Sequence, residues 1–336
     1  MPRSGRRWLP SAVADRCEMI LLRFTSLTFL LALSVSGAAS PVDIPAPLRE
    51  GLERLRSGRY RQTLATASKL EERFPGQPLP HLIAAEAYWG MIFCQTGHIT
   101  AREIWHVAKA DSSEYDDEFF DAAERALAAS KALRDQETTE ALGDFYKGLA
   151  HGVRARLFTL REQALKSGSE GKQMREALLE AVAKDPSLEA DAHAGLGAYN
   201  YYADVLSPWI KLFRFFLLMP GGDREKGLEQ LQVASQKASL LAPEARYELA
   251  RILGMRENRR AEALGLLQGL SDQYEENALF ALAASFEAEK IGKKDVAIEY
   301  AGKAVRAATS MDDVCRMRVG DAAQQALKRL QENSGP

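Results

Sequence analysis

Ala263-Leu264-x2-Leu267-x2-Leu270 returns 34 residues later as Ala297-Ile298-x2-Ala301-x2-Ala304, and Asn258, in the turn ahead of it, returns as Gly292. Small and apolar residues three and four apart lay one helical face against a neighbour. Gly and Asn are the residues that accept the left-handed backbone of a tight turn between two helices. A period of this length reads as a helix-turn-helix unit that cannot bury its apolar face alone and therefore stacks on copies of itself. The expected fold class is all-α, an α-solenoid of antiparallel helix pairs.

Composition agrees. The chain has 336 residues, 46% hydrophobic and 27% charged, which suits a folded protein with a large core and excludes a disordered one. No long alternating Val/Ile/Thr stretch suggests a sheet. Gly and Pro fall mainly between helical stretches: Gly58 and Pro75 around the first pair, Pro186 in the middle, then Gly221, Gly222 and Asp223, and finally Asn258 and Gly292. The spacing predicts helices over Pro45 to Arg56, Thr63 to Phe74, Leu79 to Cys94 and Glu118 to Leu133. A long helix is expected from Thr138 to Lys166, followed by a flexible break at Ser167 to Gly171. Beyond it the predicted helices are Met174 to Lys184, Leu188 to Leu206, Arg224 to Lys237, Pro243 to Leu253, Ala261 to Gln273, Ala278 to Lys290, Asp295 to Ala308 and a closing, capping helix from Val314 to Leu330. These group as repeats over 42–110, central hairpins over 111–206 and further repeats over 207–336.

The first 38 residues read as a signal peptide. Arg23, the apolar stretch Phe24 to Val35, and Ser36 to Ser40 before Pro41 form its three parts, with translation beginning at Met1 or at Met19. A twin-arginine signal through Arg6 and Arg7 fits less well, because the apolar stretch lies far downstream. The mature protein is thus expected to be periplasmic or secreted. Its 39 basic and 44 acidic side chains give no general attraction to nucleic acid. Cys94 and Cys315 remain after processing; as positions 221 residues apart in a linear array they are expected to be two separate buried thiols rather than a pair.

The turn glycines and closing prolines in register, with small residues at Ala67, Ala297 and Ala301, resemble the tetratricopeptide-repeat superfamily over most of residues 45 to 308. The family's Trp-x2-Leu-Gly opening is nowhere complete, and the spacing drifts between Leu79 and Gly171. The run Leu217 to Leu231, with Glu244-Ala245 and Glu257-Asn258-Arg259, is similar to exported tetratricopeptide proteins of bacteria and resembles the tetratricopeptide-39 and outer-membrane inclusion-clearance proteins. Tyr88-Trp89 and the Gly-Gly-Asp turn are similar to periplasmic tetratricopeptide components that accompany tripartite ATP-independent transporters. The resemblance implies a scaffold or adaptor.

Several stretches invite a site. Pro220-Gly221-Gly222-Asp223 precedes a helix, where an anion or an N-cap is expected; Asp223 would repel a phosphate, so the cap is preferred. Trp209 to Met219 is apolar nearly all round and offers Trp209, Lys211, Phe213, Arg214 and Phe216 as membrane or partner contacts, or else fills the middle of the array. Tyr199, Tyr201, Tyr202 and Trp209, near His193, are candidates for a groove that stacks a peptide or small ligand, or for packing between helices. The acidic stretch Asp111 to Glu118 lacks the Gly and spaced oxygens of a calcium loop. His81, His98, His106, His151 and His193 are scattered, with no zinc spacing and no nucleophile elbow. No catalytic residue, metal or cofactor is expected.

The function expected is a non-enzymatic scaffold or adaptor of the cell envelope that holds an unidentified partner protein or peptide along its concave face. The alternative is a lipid- or small-ligand-binding, transporter-associated protein that docks on a membrane through 209–219. A hydrolase with a dispersed site is a further rival and would show a strongly perturbed titrating group in a deep pocket.

Overall fold

The turns build this molecule. Gly58 sits at φ 75° between two helices, Asn258 at 53° and Gly292 at 74°, the left-handed residues that the repeat requires. Glu162, at φ 56°, occupies a fourth such turn. Around them the backbone closes in one way: Arg59 N donates to Arg54 O, Gln163 N to Phe158 O and Lys293 N to Ala288 O, with Arg259 N reaching Leu253 O in a turn one residue longer. These are Schellman closures, which satisfy carbonyls that a helix end leaves free. A second turn type recurs between pairs. Phe74 N donates to Leu70 O and Gln77 N to Phe74 O; Asp185 and Leu188 repeat this, as do Tyr274 and Asn277.

The computed structural model describes residues 44–100, 102, 112–205 and 220–332. Among them are thirteen α-helices: Ala46–Arg56 (α1), Tyr60–Arg73 (α2), Pro78–Thr96 (α3), Asp116–Arg134 (α4), Glu140–Leu160 (α5), Ala164–Lys184 (α6), Glu189–Asp204 (α7), Arg224–Lys237 (α8), Ala242–Met255 (α9), Arg260–Gln273 (α10), Ala278–Lys290 (α11), Lys294–Ala308 (α12) and Asp313–Glu332 (α13). No strand occurs among the described residues. Consecutive helices pack in antiparallel pairs, so α1 to α12 make six hairpins and α13 follows. The fold is all-α and repeat-like, as the sequence predicts. In two hairpins the paired helices stand further apart in sequence, with residues 97–115 and 205–223 between them. The first of these is why the repeat spacing drifts after Leu79.

One boundary differs from expectation. The break falls at Arg161-Glu162-Gln163, and Ser167 to Gly171 is helical within α6. Glu162 carries the left-handed turn, so the local glycine signal pointed a few residues too far along. Gly171 instead lies near Tyr199 of α7, whose ring carbon would sit 3.6 Å from an added Cβ. The expected cap at Asp223 is present, with its carboxylate accepting from Lys226 N at 3.0 Å. Gly222 is required there because a Cβ would meet Asn200 O at 2.2 Å. Pro186 opens a short 3-10 turn in which Asp185 accepts from Ser187 N.

Two cores result. One joins Leu48, Leu52, Leu70, Ile83, Phe119, Phe145, Leu157 and Leu178 across the first three hairpins. The other joins α9 to α13 but also takes Tyr60, Ala87, Met91, Cys94 and Ile99 from the beginning of the chain. Helix α3 therefore faces both cores. Its sequence, Pro-Leu-Pro-His-Leu-Ile-Ala-Ala-Glu-Ala-Tyr-Trp-Gly-Met-Ile-Phe-Cys, is apolar nearly all round, the pattern of a helix covered on all sides.

Candidate functional site

First helices of successive hairpins touch one another, α1 with α3, α3 with α5, α5 with α7 and α7 with α9. No comparable contact joins the second helices among the described residues. The array therefore curves with its first helices on the inner side, and their side chains make the inner wall.

On that wall the charged groups are paired and stacked. Arg156 of α5 donates through Nη1 to both carboxylate oxygens of Glu86 on α3, at 2.7 and 2.6 Å, and its guanidinium lies 3.9 Å from the centre of the Trp89 ring. Trp89 stacks in turn on Phe93 at 5.4 Å, and its buried indole N–H has no partner. Arg251 of α9 donates to Glu248 at 2.8 and 3.1 Å and to the Tyr202 hydroxyl of α7 at 2.7 Å. The Tyr202 ring stands edge-on to Tyr201 and lies under Arg251 and Arg256. Tyr247 of α9 and Phe280 of α11 continue the wall, their rings 5.5 Å apart. The field of Arg156 reaches Tyr60, Tyr247 and Glu248, so groups from α2, α3, α5 and α9 share one neighbourhood.

Burial dominates these groups although Arg251 and Glu248 keep 29% and 22% of their side-chain surface. Burial alone would raise the Glu248 carboxyl, but the charge of Arg251 and its hydrogen bonds, with that of Tyr202, outweigh it and hold Glu248 below its ordinary value. Burial would equally lower the Arg251 guanidinium, and Glu248 overrides it upward. Burial raises Tyr202 well above the ordinary phenol, helped by Glu248, and raises Tyr247 to about 12. Each group is thereby fixed in the state it has at neutral pH.

The candidates from the sequence separate. Tyr202 is on the inner wall. Tyr201 is buried one residue away and donates to Glu257 at 2.5 Å, which ties α7 to the turn after α9, and Tyr199 is buried against Pro220 O at 2.9 Å, which ties α7 to the segment that follows it. His193 lies on α7 beside Glu189 at 3.7 Å, and burial lowers its pKa. Trp209, Lys211, Phe213, Arg214 and Phe216 lie outside the described residues, as do the expected signal segment, His106 and Asp111. Asp116, from the acidic stretch, starts α4 and pairs with Arg161. Among the described residues no three His, Cys, Asp or Glu side chains are placed to hold a metal, and no helix is long and apolar enough to cross a membrane.

The largest correction concerns the cysteines. Cys94 and Cys315 form a disulfide, with Cα atoms 5.0 Å apart, not two separate thiols. The separation of 221 residues argued against pairing only for a straight array, and this one returns on itself. A seam joins its two ends. Arg56 donates to Glu244 at 2.9 and 3.1 Å and to Leu240 O at 2.5 Å, while Arg56 O accepts from Asn277 Nδ2 at 2.8 Å. Arg59 pairs with Glu276, and Arg61 N donates to Asp312 at 2.8 Å. Arg318 of α13 donates to the carbonyls of Cys94, Gln95 and Gly97, the free end of α3. The closing helix thus grips the second hairpin rather than simply capping the last. No sequence signal marks these partners beyond the presence of the two cysteines themselves.

No protein-family model matches this chain, and no curated protein shows significant similarity to it.

Proposed function

We propose that the protein is a binding protein of an extracytoplasmic compartment, without chemistry of its own, that holds a compact ligand against the inner wall of a divergent tetratricopeptide-like array. The carrying observation is the wall formed by Glu86, Trp89, Arg156, Tyr202, Tyr247, Glu248 and Arg251, half-buried polar and aromatic side chains brought together from four hairpins. Such groups fix orientation when a ligand replaces water. Their shifts run away from neutrality, which suits holding rather than proton transfer. The disulfide and the export-like beginning support the compartment.

A scaffold that grips a partner polypeptide along its concave face is the less supported reading, because the seam bounds that face where an open trough would be needed. The two are separated by purifying the tagged protein from its own cell envelope and examining it by native mass spectrometry, with in-cell cross-linking in parallel. A small molecule that co-purifies with the wild type and is depleted in Arg156→Gln supports the proposal. A stoichiometric cross-linked protein, with no small molecule retained, refutes it in favour of the scaffold.

A further inference from the structure

The disulfide and the seam do more than join two ends. Cys315 and Arg318 lie one turn apart on α13, and both grip the last turn of α3, one through sulfur and the other through three backbone carbonyls. A guanidinium at that position also meets the negative end of the α3 dipole. On the other side of the seam, Tyr60 buries its ring beside Gly90 and within the field of Tyr247 and Arg156. The inner wall therefore includes groups from both sides, and it is complete only when the seam is shut. Cys94 and Cys315 are each 0% exposed.

We propose that the seam is a latch that closes once: the Cys94–Cys315 bond forms as α13 docks on the end of α3, and closure then seals it from thiol exchange. Two cysteine thiols give up two protons and two electrons to an oxidising disulfide of the dithiol-oxidase class. The first thiolate attacks the oxidant's sulfur to form a mixed disulfide; the second attacks that bond, leaving Cys94–Cys315 and the oxidant as a dithiol. The reverse exchange needs a thiolate to reach a sulfur, and neither sulfur is accessible in the closed array. The chain therefore carries a permanent closure and not a redox switch.

The test uses the oxidised mature protein in excess dithiothreitol, quenched with a maleimide and weighed by mass spectrometry at increasing urea. Both cysteines should stay unlabelled under native conditions and become labelled together only in urea, as the seam opens. Rapid labelling of the folded protein without urea overturns the proposal. A second measurement is hydrogen exchange on the Cys94→Ala/Cys315→Ala protein. Amides of α1, α2 and α13 should exchange about tenfold faster or more, with α4 to α6 unchanged. Equal exchange in both proteins would mean that the bond only decorates a seam already shut. Neither readout involves a ligand, so failure here is distinct from failure of the binding proposal.

Discussion

Gly90 tests how closely α2 and α3 must approach. A Cβ added there would lie 2.4 Å from Cζ, 2.5 Å from Cε1 and 2.9 Å from Cε2 of Tyr60. Carbon atoms rest at about 3.5–4.0 Å, so the ring would have to move by roughly 1 Å. Tyr60 is only 7% exposed and sits in the core shared by the two ends of the chain, so it has nowhere to go. Overpacking of this kind costs about 1–3 kcal/mol, while replacing a glycine inside a helix with alanine gains about 1 kcal/mol. Gly90→Ala should therefore destabilise by up to about 2 kcal/mol in the wild type. In a Tyr60→Ala background the ring is gone and only the helical gain remains, so the same substitution should stabilise by about 1 kcal/mol. The reversal of sign is the prediction. Urea unfolding followed by circular dichroism on all four proteins gives the coupling energy, expected at about 1–3 kcal/mol. A coupling below about 0.5 kcal/mol would refute the contact, because independent sites add within that margin.

Two further outcomes follow from buried polar groups. Asp191 is 1% exposed and accepts from the backbone N–H groups of Ser239, Leu240 and Leu241 and from the Ser239 hydroxyl, at 2.8–3.0 Å, so it holds the turn between α8 and α9. Asp191→Ala should cost about 3 kcal/mol or more by stranding those donors, and Asp191→Asn less; equal unfolding midpoints for Ala and wild type would contradict this. Burial raises Tyr146, Tyr201 and Tyr247 to about 12, and Tyr60 and Tyr202 upward as well, against an ordinary value of 10.0. An acid whose folded pKa is raised favours the folded state fully below its unfolded pKa, and that stability drains as pH rises through the folded value. Stability should fall between pH 10 and 12, with these phenols ionising in one step together with unfolding; their gradual ionisation near pH 10 in a still-helical protein would be the contrary result.

Reading the sequence alone succeeds where the determinants are local. The turns at Gly58, Asn258 and Gly292 are legible because left-handed backbone is cheap only for Gly and tolerable for Asn. Glu162 adopts the same conformation with no residue type to announce it, so the sequence alone places the end of α5 too late. The aromatic cluster on α7 is visible as a cluster, but which of three tyrosines faces the interior is not. Tyr199 and Tyr201 are buried against the Pro220 carbonyl and Glu257, and Tyr202 meets Arg251 from a helix 49 residues away.

The sequence by itself determined an all-helical repeat of antiparallel pairs, because helical periodicity, turn chemistry and the repeat length are each written within about one unit of chain. Only the tertiary structure decided that the array closes. Curvature is a small rotation added at every interface between hairpins, so its sum, and with it the meeting of Cys94 with Cys315 and of Arg56 with Glu244, appears only when all the hairpins are packed together.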